Sequence, residues 1–157
     1  MTPPYKLQVV PFTYQALLEL EKHASNFEYV VSHLGGLRDS FTRGILVNRQ
    51  LMVLTTPSEI LGYTLFTYFN SQQANQYMRN EGEMYTELPK DHPNVLFIDN
   101  MEANKKYKNQ GLGTQMLNIL QTNNIPIFLQ ATEDSEDFWY NRGFKCIEDY
   151  GYWLIKR

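Results

Sequence analysis

A mixed α/β fold is what this sequence predicts, and three observations predict it. Short apolar runs rich in β-branched and aromatic residues alternate with segments whose apolar residues recur at helical spacing. One strand-like run, 95–103, is followed by a helical pattern over 111–122 and a buried-type strand over 125–131, the order of a parallel crossover. Two further pairs of strand-like runs, 50–56 with 60–69 and the pair around Gly151, are joined by turns short enough for hairpins. With 157 residues, one domain over 1–157 with a single core is expected.

Taken in order, "YKLQVVPF" (5–12) reads as a first strand ended by Pro11. Thr13 can cap a helix whose Leu17, Leu20 and Ala24 share a face. A second helix is read over "FEYVVSHL", broken by the glycines at 35–36, and "LRDSFTRG" has helical character without a clear face. "QLMVLTT" (50–56) and "ILGYTLFTYF" (60–69) flank "PSE" and read as a hairpin. The polar stretch 70–94 is long for a connection, and a solvated excursion and a substrate lid are equally compatible with it. After strand 95–103, the helix places Leu112, Met116, Leu117 and Leu120 on one side. "NNIP" is a turn before strand 125–131. "SEDFWYNRG" is a short helix with Ser135 or Asp134 as N-cap and Gly143 past its end. "KCIEDYGYWLIKR" closes the chain as a hairpin around Gly151.

Composition narrows the function. A net charge of −3 and a pI near 5.6 disfavour a mainly electrostatic nucleic-acid binder, a toxin acting on charged tRNA included. Local Lys105, Lys106 and Lys108 would still suit a phosphate-bearing small molecule. Cys146 is the single cysteine, so no internal disulfide forms; it is read as buried and inert. No apolar run approaches a membrane span and the N-terminus lacks a signal-peptide layout, so a cytoplasmic protein without a membrane partner is expected. No His, Cys or Asp cluster has metal-ligand spacing, and no metal is expected.

The stretch that carries chemistry is "KKYKNQGLGTQML" (105–117). Strand, then glycine pair, then helix leaves several amides unpaired at a helix start, where the macrodipole favours negative charge. Glycine removes the Cβ that would hold a phosphate away. The string is neither a Walker loop nor a dinucleotide fingerprint, since Met116 occupies the third glycine site. The bland alternative is a glycine-rich turn with no ligand.

"YKNQGLGTQML" resembles motif A of the GNAT superfamily of acyl-CoA-dependent N-acetyltransferases, [R/Q]-x-x-G-x-[G/A], with Lys108 where arginine or glutamine is usual. About 30 residues on, "DFWYNRGFK" (137–145) resembles the family's "xFYxxxGF" stretch. The resemblance implies a mostly antiparallel mixed sheet with a central parallel pair splayed to admit acetyl-CoA, flanked by about four helices. It implies that the amides of Asn109, Gln110, Gly111, Leu112, Gly113 and Thr114, with Lys108 as a point charge, hold the pyrophosphate. The pantetheine arm would run beside Met101, Glu102 and Ala103. The partners implied are acetyl-CoA, as cosubstrate, and an amine acceptor; a homodimer is left open.

The implied reaction is direct attack of a primary amine, of a small molecule or peptide, on the thioester. It needs a group to take the amine's proton and another to protonate the leaving thiolate. The family's base positions correspond to Phe97, which cannot serve, and Asp99, which can. Strand alternation puts 97, 99, 101 and 103 on one face and Glu102 on the other. Desolvated and unpaired, Asp99 would have a raised pKa; its alternatives are a paired structural carboxylate or a binder of cationic substrate. Where the family carries its acidic tyrosine stands Trp139, which can donate a hydrogen bond but not release a proton. Tyr140 is the candidate acid and Trp139 a wall of the cofactor channel, with solvent as the remaining proton source. The acceptor is expected over residues 23–45 and the 70–94 stretch, where Glu28, Asp39, Glu81, Glu83 and Glu87 could attract an amine. A non-catalytic acyl-CoA-binding domain is the competing reading, because Trp139 replaces the tyrosine.

Overall fold

The computed structural model describes residues 3–28, 49–70, 72–74, 94–146 and 153–156. The readings made for 29–48, for most of 70–94 and for the turn around Gly151 lie outside these residues, as do Asp39, Glu81, Glu83 and Glu87.

Seven strands form one sheet in the order β1-β2-β3-β4-β5-β7-β6. They are β1 (Lys6–Pro11), β2 (Arg49–Thr55), β3 (Ile60–Phe69), β4 (Val95–Ala103), β5 (Ile127–Gln130), β6 (Lys145–Cys146) and β7 (Trp153–Lys156). β1 runs antiparallel to β2, from Lys6↔Thr55 to Pro11↔Gln50. β4 and β5 are parallel, and their register runs only from Leu96↔Ile127 to Ile98↔Leu129, while β4 continues to Ala103. β5 pairs antiparallel with β7, and β6 with β7. The parallel crossover read from the sequence is therefore present, within an otherwise largely antiparallel sheet.

The helices with complete bounds are α1 (Tyr14–Glu21), α2 (Leu112–Leu120) and α3 (Glu136–Tyr140). Thr13 caps α1 as expected, its hydroxyl accepting from the Ala16 amide at 3.1 Å. The helix ends at Glu21 and tightens into a 3₁₀ turn, Ala24–Asn26, so Ala24 lies beyond it rather than on its face. α2 likewise stops at Leu120, and Gln121–Asn123 is 3₁₀. At α3, Ser135 stands at the N-cap position as read, but its side chain makes no cap bond to that helix. Thr132 and Ser135 form a reciprocal capping box over a 3₁₀ turn, and the α-helical part begins at Glu136. Gly143, at φ +90°, stands past its end as read.

The chain divides into two compact units, Met1–Phe66 with Asn100–Leu120, and Thr67–Asp99 with Gln121–Arg157. In the first, Leu17 and Leu20 of α1 pack with Phe12, Phe27, Leu51, Tyr63 and Leu65. Burial of each leucine contributes about 1.5–3 kcal/mol. α2 approaches the sheet closely over Gly62, where a Cβ would stand 3.2 Å from both the Glu102 carbonyl oxygen and the Met116 methyl. In the second unit Phe97 and Phe128 pack with Val95, Ala74 and Ile155, the two rings 4.9 Å apart.

Candidate cofactor and catalytic site

Within the first unit, the segment linking β4 to α2 is held by an asparagine. Asn104 is fully buried, and a buried amide must find partners for its donors and acceptor. Its Nδ2 donates to the Ile60 carbonyl at 2.9 Å, its Oδ1 accepts from the Lys106 amide at 2.9 Å, and its own amide donates to the Leu61 carbonyl at 2.8 Å. Glu59, in the turn between β2 and β3, holds the next two residues. It accepts from Lys106 Nζ at 3.0 Å and from the Tyr107 hydroxyl.

These contacts leave Lys108, Asn109, Gln110 and Gly111 exposed at the mouth of α2. Asn109 (φ 65°) and Gly111 (φ 82°) adopt left-handed backbone on either side of Gln110. Alternation of this kind bends a run of amides into a concave anion nest. A Cβ built on Gly111 meets nothing within 4 Å, so the glycine faces open space. Leu112 is buried and Gly113 and Thr114 are half-buried. The candidate pyrophosphate residues thus run contiguously through this turn into the start of α2, and the space over Gly111 is open.

The tyrosine hydroxyl and Lys106 hold the Glu59 carboxyl below its ordinary 4.5, with the Tyr107 bond the larger cause. The same contacts raise Lys106 and Tyr107 above 10.5 and 10.0, so the partners agree in sign. A lowered carboxyl stabilises the fold fully above the ordinary value, and that stability is lost as pH falls through the lowered value. Glu59→Gln is accordingly expected to melt below the native protein at pH 7, with the difference closing on acidification below about 4. A gap independent of pH in paired thermal melts would remove the clamp.

Farther along the same unit lies a polar group that sequence reasoning missed. Tyr63 is fully buried in the apolar cluster of α1, its ring edge-on to Phe27 at 5.0 Å. Its hydroxyl donates to Glu102 Oε2 at 3.0 Å and accepts from Asn100 Nδ2 at 2.6 Å. Asn100 and Glu102, two residues apart, therefore share the α1 face of β4 in this unit. Met101 and Ala103 are half-buried. The polar residues embedded in "GYTLFTYF" were the one available signal, since a buried tyrosine hydroxyl requires a partner.

Within the second unit, Asp99 is half-buried at the end of the β4–β5 register, and its Oδ2 accepts from the Thr67 hydroxyl at 3.1 Å. It is thus a hydrogen-bonded carboxylate rather than an unpaired one. Trp139 is 7% exposed and packs edge-on against Phe138 and Phe144, at 4.8 and 5.2 Å. Its neighbour Tyr140 is 41% exposed. Partial burial, then Glu136 and Cys146, raises the Tyr140 hydroxyl above 10.0, which keeps it protonated at neutral pH. Cys146 is half-buried rather than buried. Among the described residues no group of three His, Cys, Asp or Glu side chains is placed to hold a metal ion. No helix among them is long and apolar enough to cross a membrane.

A parallel β4–β5 pair inside a mostly antiparallel seven-stranded sheet, with a glycine turn opening the intervening helix, is the fold of the GNAT acetyltransferases. Several of the solved structures this chain resembles are acetyltransferases by name. The Bacillus subtilis N-acetyltransferase YlbP, in complex with coenzyme A, matches at 17% identity and TM-score 0.64, covering 98% of this chain and 97% of its own. Arabidopsis thaliana NAA60 in complex with a bisubstrate analogue matches at 11% and 0.55, covering 96% and 97%. AtaT complexed with acetyl-methionyl-tRNAfMet matches at 15% and 0.50, covering 96% and 94%. No protein-family model and no curated protein sequence matches the chain. At these identities the likeness establishes the fold, and the molecules bound in these structures differ.

Proposed function

We propose that residues 1–157 act as one acetyltransferase domain that moves an acetyl group from acetyl-CoA to a primary amine of a small molecule or peptide. The observation that carries this reading is the nest at Asn109–Gly111, open above Gly111 and set at the start of α2. Coenzyme A or acetyl-CoA in structures of the same fold supports it. When bound, acetyl-CoA supplies the thioester carbonyl that a neutral amine attacks directly.

The chain's own residues divide the remaining tasks. The amides of 109–114 bind the pyrophosphate, with Lys108 as a nearby cation, and the backbone of Met101, Glu102 and Ala103 binds the pantetheine arm. Asp99, oriented by Thr67, takes the amine's proton at Oδ1 or Oδ2. Tyr140, protonated at neutral pH, returns a proton to the leaving thiolate. Trp139, packed edge-on against Phe144, forms a wall of the cofactor channel and takes no part in proton transfer. Loss of the family's tyrosine at that position is the one observation favouring the second reading, an acyl-CoA-binding domain without turnover.

Thiol release from acetyl-CoA, followed across a panel of small amines and peptide N-termini, tests the proposal. Amine-dependent release supports the enzyme. Saturable acetyl-CoA binding with no release by any amine would transfer the case to the second reading.

A further inference from the structure

We infer that the first unit holds a second small-molecule site, for an amine with an apolar body, and that this site is linked to the cofactor turn through Glu59. A cavity of about 340 Å³ opens beside α1 and the β2–β3 turn. That is within the size range of small-ligand pockets. Val10, Val53 and Ile60 line its floor, and Glu19, His23 and Glu59 stand around it. Apolar walls with a small number of charged groups recognise amphipathic molecules, and here the two carboxylates select a cationic head.

Both carboxylates already carry lysines. Lys22 meets Glu19 at 2.9 Å and Lys106 meets Glu59 at 3.0 Å, with the lysine side chains 65% and 62% exposed. The Lys22–Glu19 pair is exposed on both sides and contributes little, so an arriving ammonium can take Lys22's place on Glu19 at small cost. The Glu59 side chain, by contrast, is only 17% exposed. An ammonium seated in the cavity would therefore gain the better-shielded carboxylate while its apolar body leaves water.

Glu59 gives this site a consequence elsewhere. The same carboxylate holds Lys106 and Tyr107, which precede the nest at 109–111 by a few residues. An ammonium that draws Glu59 away loosens the turn that presents those amides. Amine binding and cofactor binding then oppose one another, and by linkage the effect is reciprocal. Occupancy of the cavity rests on nothing but the cavity. The linkage rests on the cofactor reading above.

Phenethylammonium is a suitable probe and phenethyl alcohol its neutral counterpart. Titration of the native protein without cofactor, followed by calorimetry, is expected to give one saturable site with a Kd on the order of 1 mM. The alcohol should bind about tenfold more weakly. Ala16→Leu fills the cavity from α1 with a good helix former and should abolish binding, and Glu19→Gln should weaken it about threefold. Because Glu19 is exposed, that variant remains informative if Ala16→Leu does not fold. Binding that survives both substitutions lies elsewhere and overturns the site, as does equal affinity for amine and alcohol. Saturating phenethylammonium should raise the Kd of coenzyme A about fivefold in the native protein and leave it unchanged in Ala16→Leu. An unchanged Kd in the native protein overturns the linkage. Absence of coenzyme A binding altogether would fault the cofactor reading and leave the amine titration to stand on its own.

Discussion

Asp99→Asn is expected to lower kcat/KM for amine acetylation by about 10²–10⁴-fold, the range that a positioned proton acceptor contributes. Asparagine keeps the volume of aspartate and an oxygen able to accept from the Thr67 hydroxyl, which bonds Asp99 at 3.1 Å. The substitution therefore removes proton affinity with little change in packing, and a melting temperature near that of the native protein is part of the expectation. The native pH–rate profile should fall toward low pH as the carboxylate takes up a proton, and the variant should lack that limb. A folded variant with an unaltered profile would rule out Asp99 as the base. Glu102→Gln is the companion measurement, because Glu102 accepts from the buried Tyr63 hydroxyl. Its glutamine can still accept that bond, so a large loss of rate there would move the proton acceptor to Glu102.

Gly111→Glu should raise the Kd of acetyl-CoA by at least about 100-fold, or ~2.7 kcal/mol. Two effects act together. The carboxylate would occupy the space above Gly111 that now holds no atom within 4 Å, and its charge would oppose the pyrophosphate. Backbone strain is a separate cost. Gly111 sits at φ 82°, and a residue with a Cβ in that region costs about 1–2 kcal/mol. In a chain of this length that lowers the melting temperature by roughly 2–8 °C. Gly111→Ala carries the same strain with only a methyl in the open space, so the difference between the two variants isolates the anion site. Equal affinities for glutamate and glycine at this position would displace the pyrophosphate from 109–114.

What could be read from the sequence was whatever is local. The Thr13 cap, the glycine mouth of α2 and the Gly143 helix end each depend on residues a few positions apart, and the structure has all three. The crossover from β4 to β5 was legible for the same reason, because hydrophobic period and turn chemistry announce it. Boundaries were less so. Ala24 continues the apolar spacing of α1 but falls in a 3₁₀ turn, and Ser135, at the N-cap of α3 as expected, spends its hydroxyl on the box with Thr132 instead of on the helix.

The polar contacts were not legible, because they join distant parts of the chain. Thr67 meets Asp99 across 32 residues, Tyr63 meets Glu102 across 39, and Glu59 meets Tyr107 across 48. Each depends on which strands and turns become neighbours and in what register, and hydrophobic patterning constrains faces without naming partners. Asn104 illustrates the point. In the sequence it is one amide among several in a polar turn, and in the structure it is buried, bonded on both sides, and anchors that turn to β3. The acceptor is illegible for a different reason, since the structures that share this fold differ in what they are bound to.

The most direct measurement is a calorimetric titration of the native protein with acetyl-CoA. One saturable site with a Kd in the micromolar range is expected, together with a rise in melting temperature that grows with ligand concentration. No heat of binding and no shift in melting at millimolar acetyl-CoA would contradict the assignment of the 109–114 turn as a cofactor site, and with it the proposed acetyl transfer.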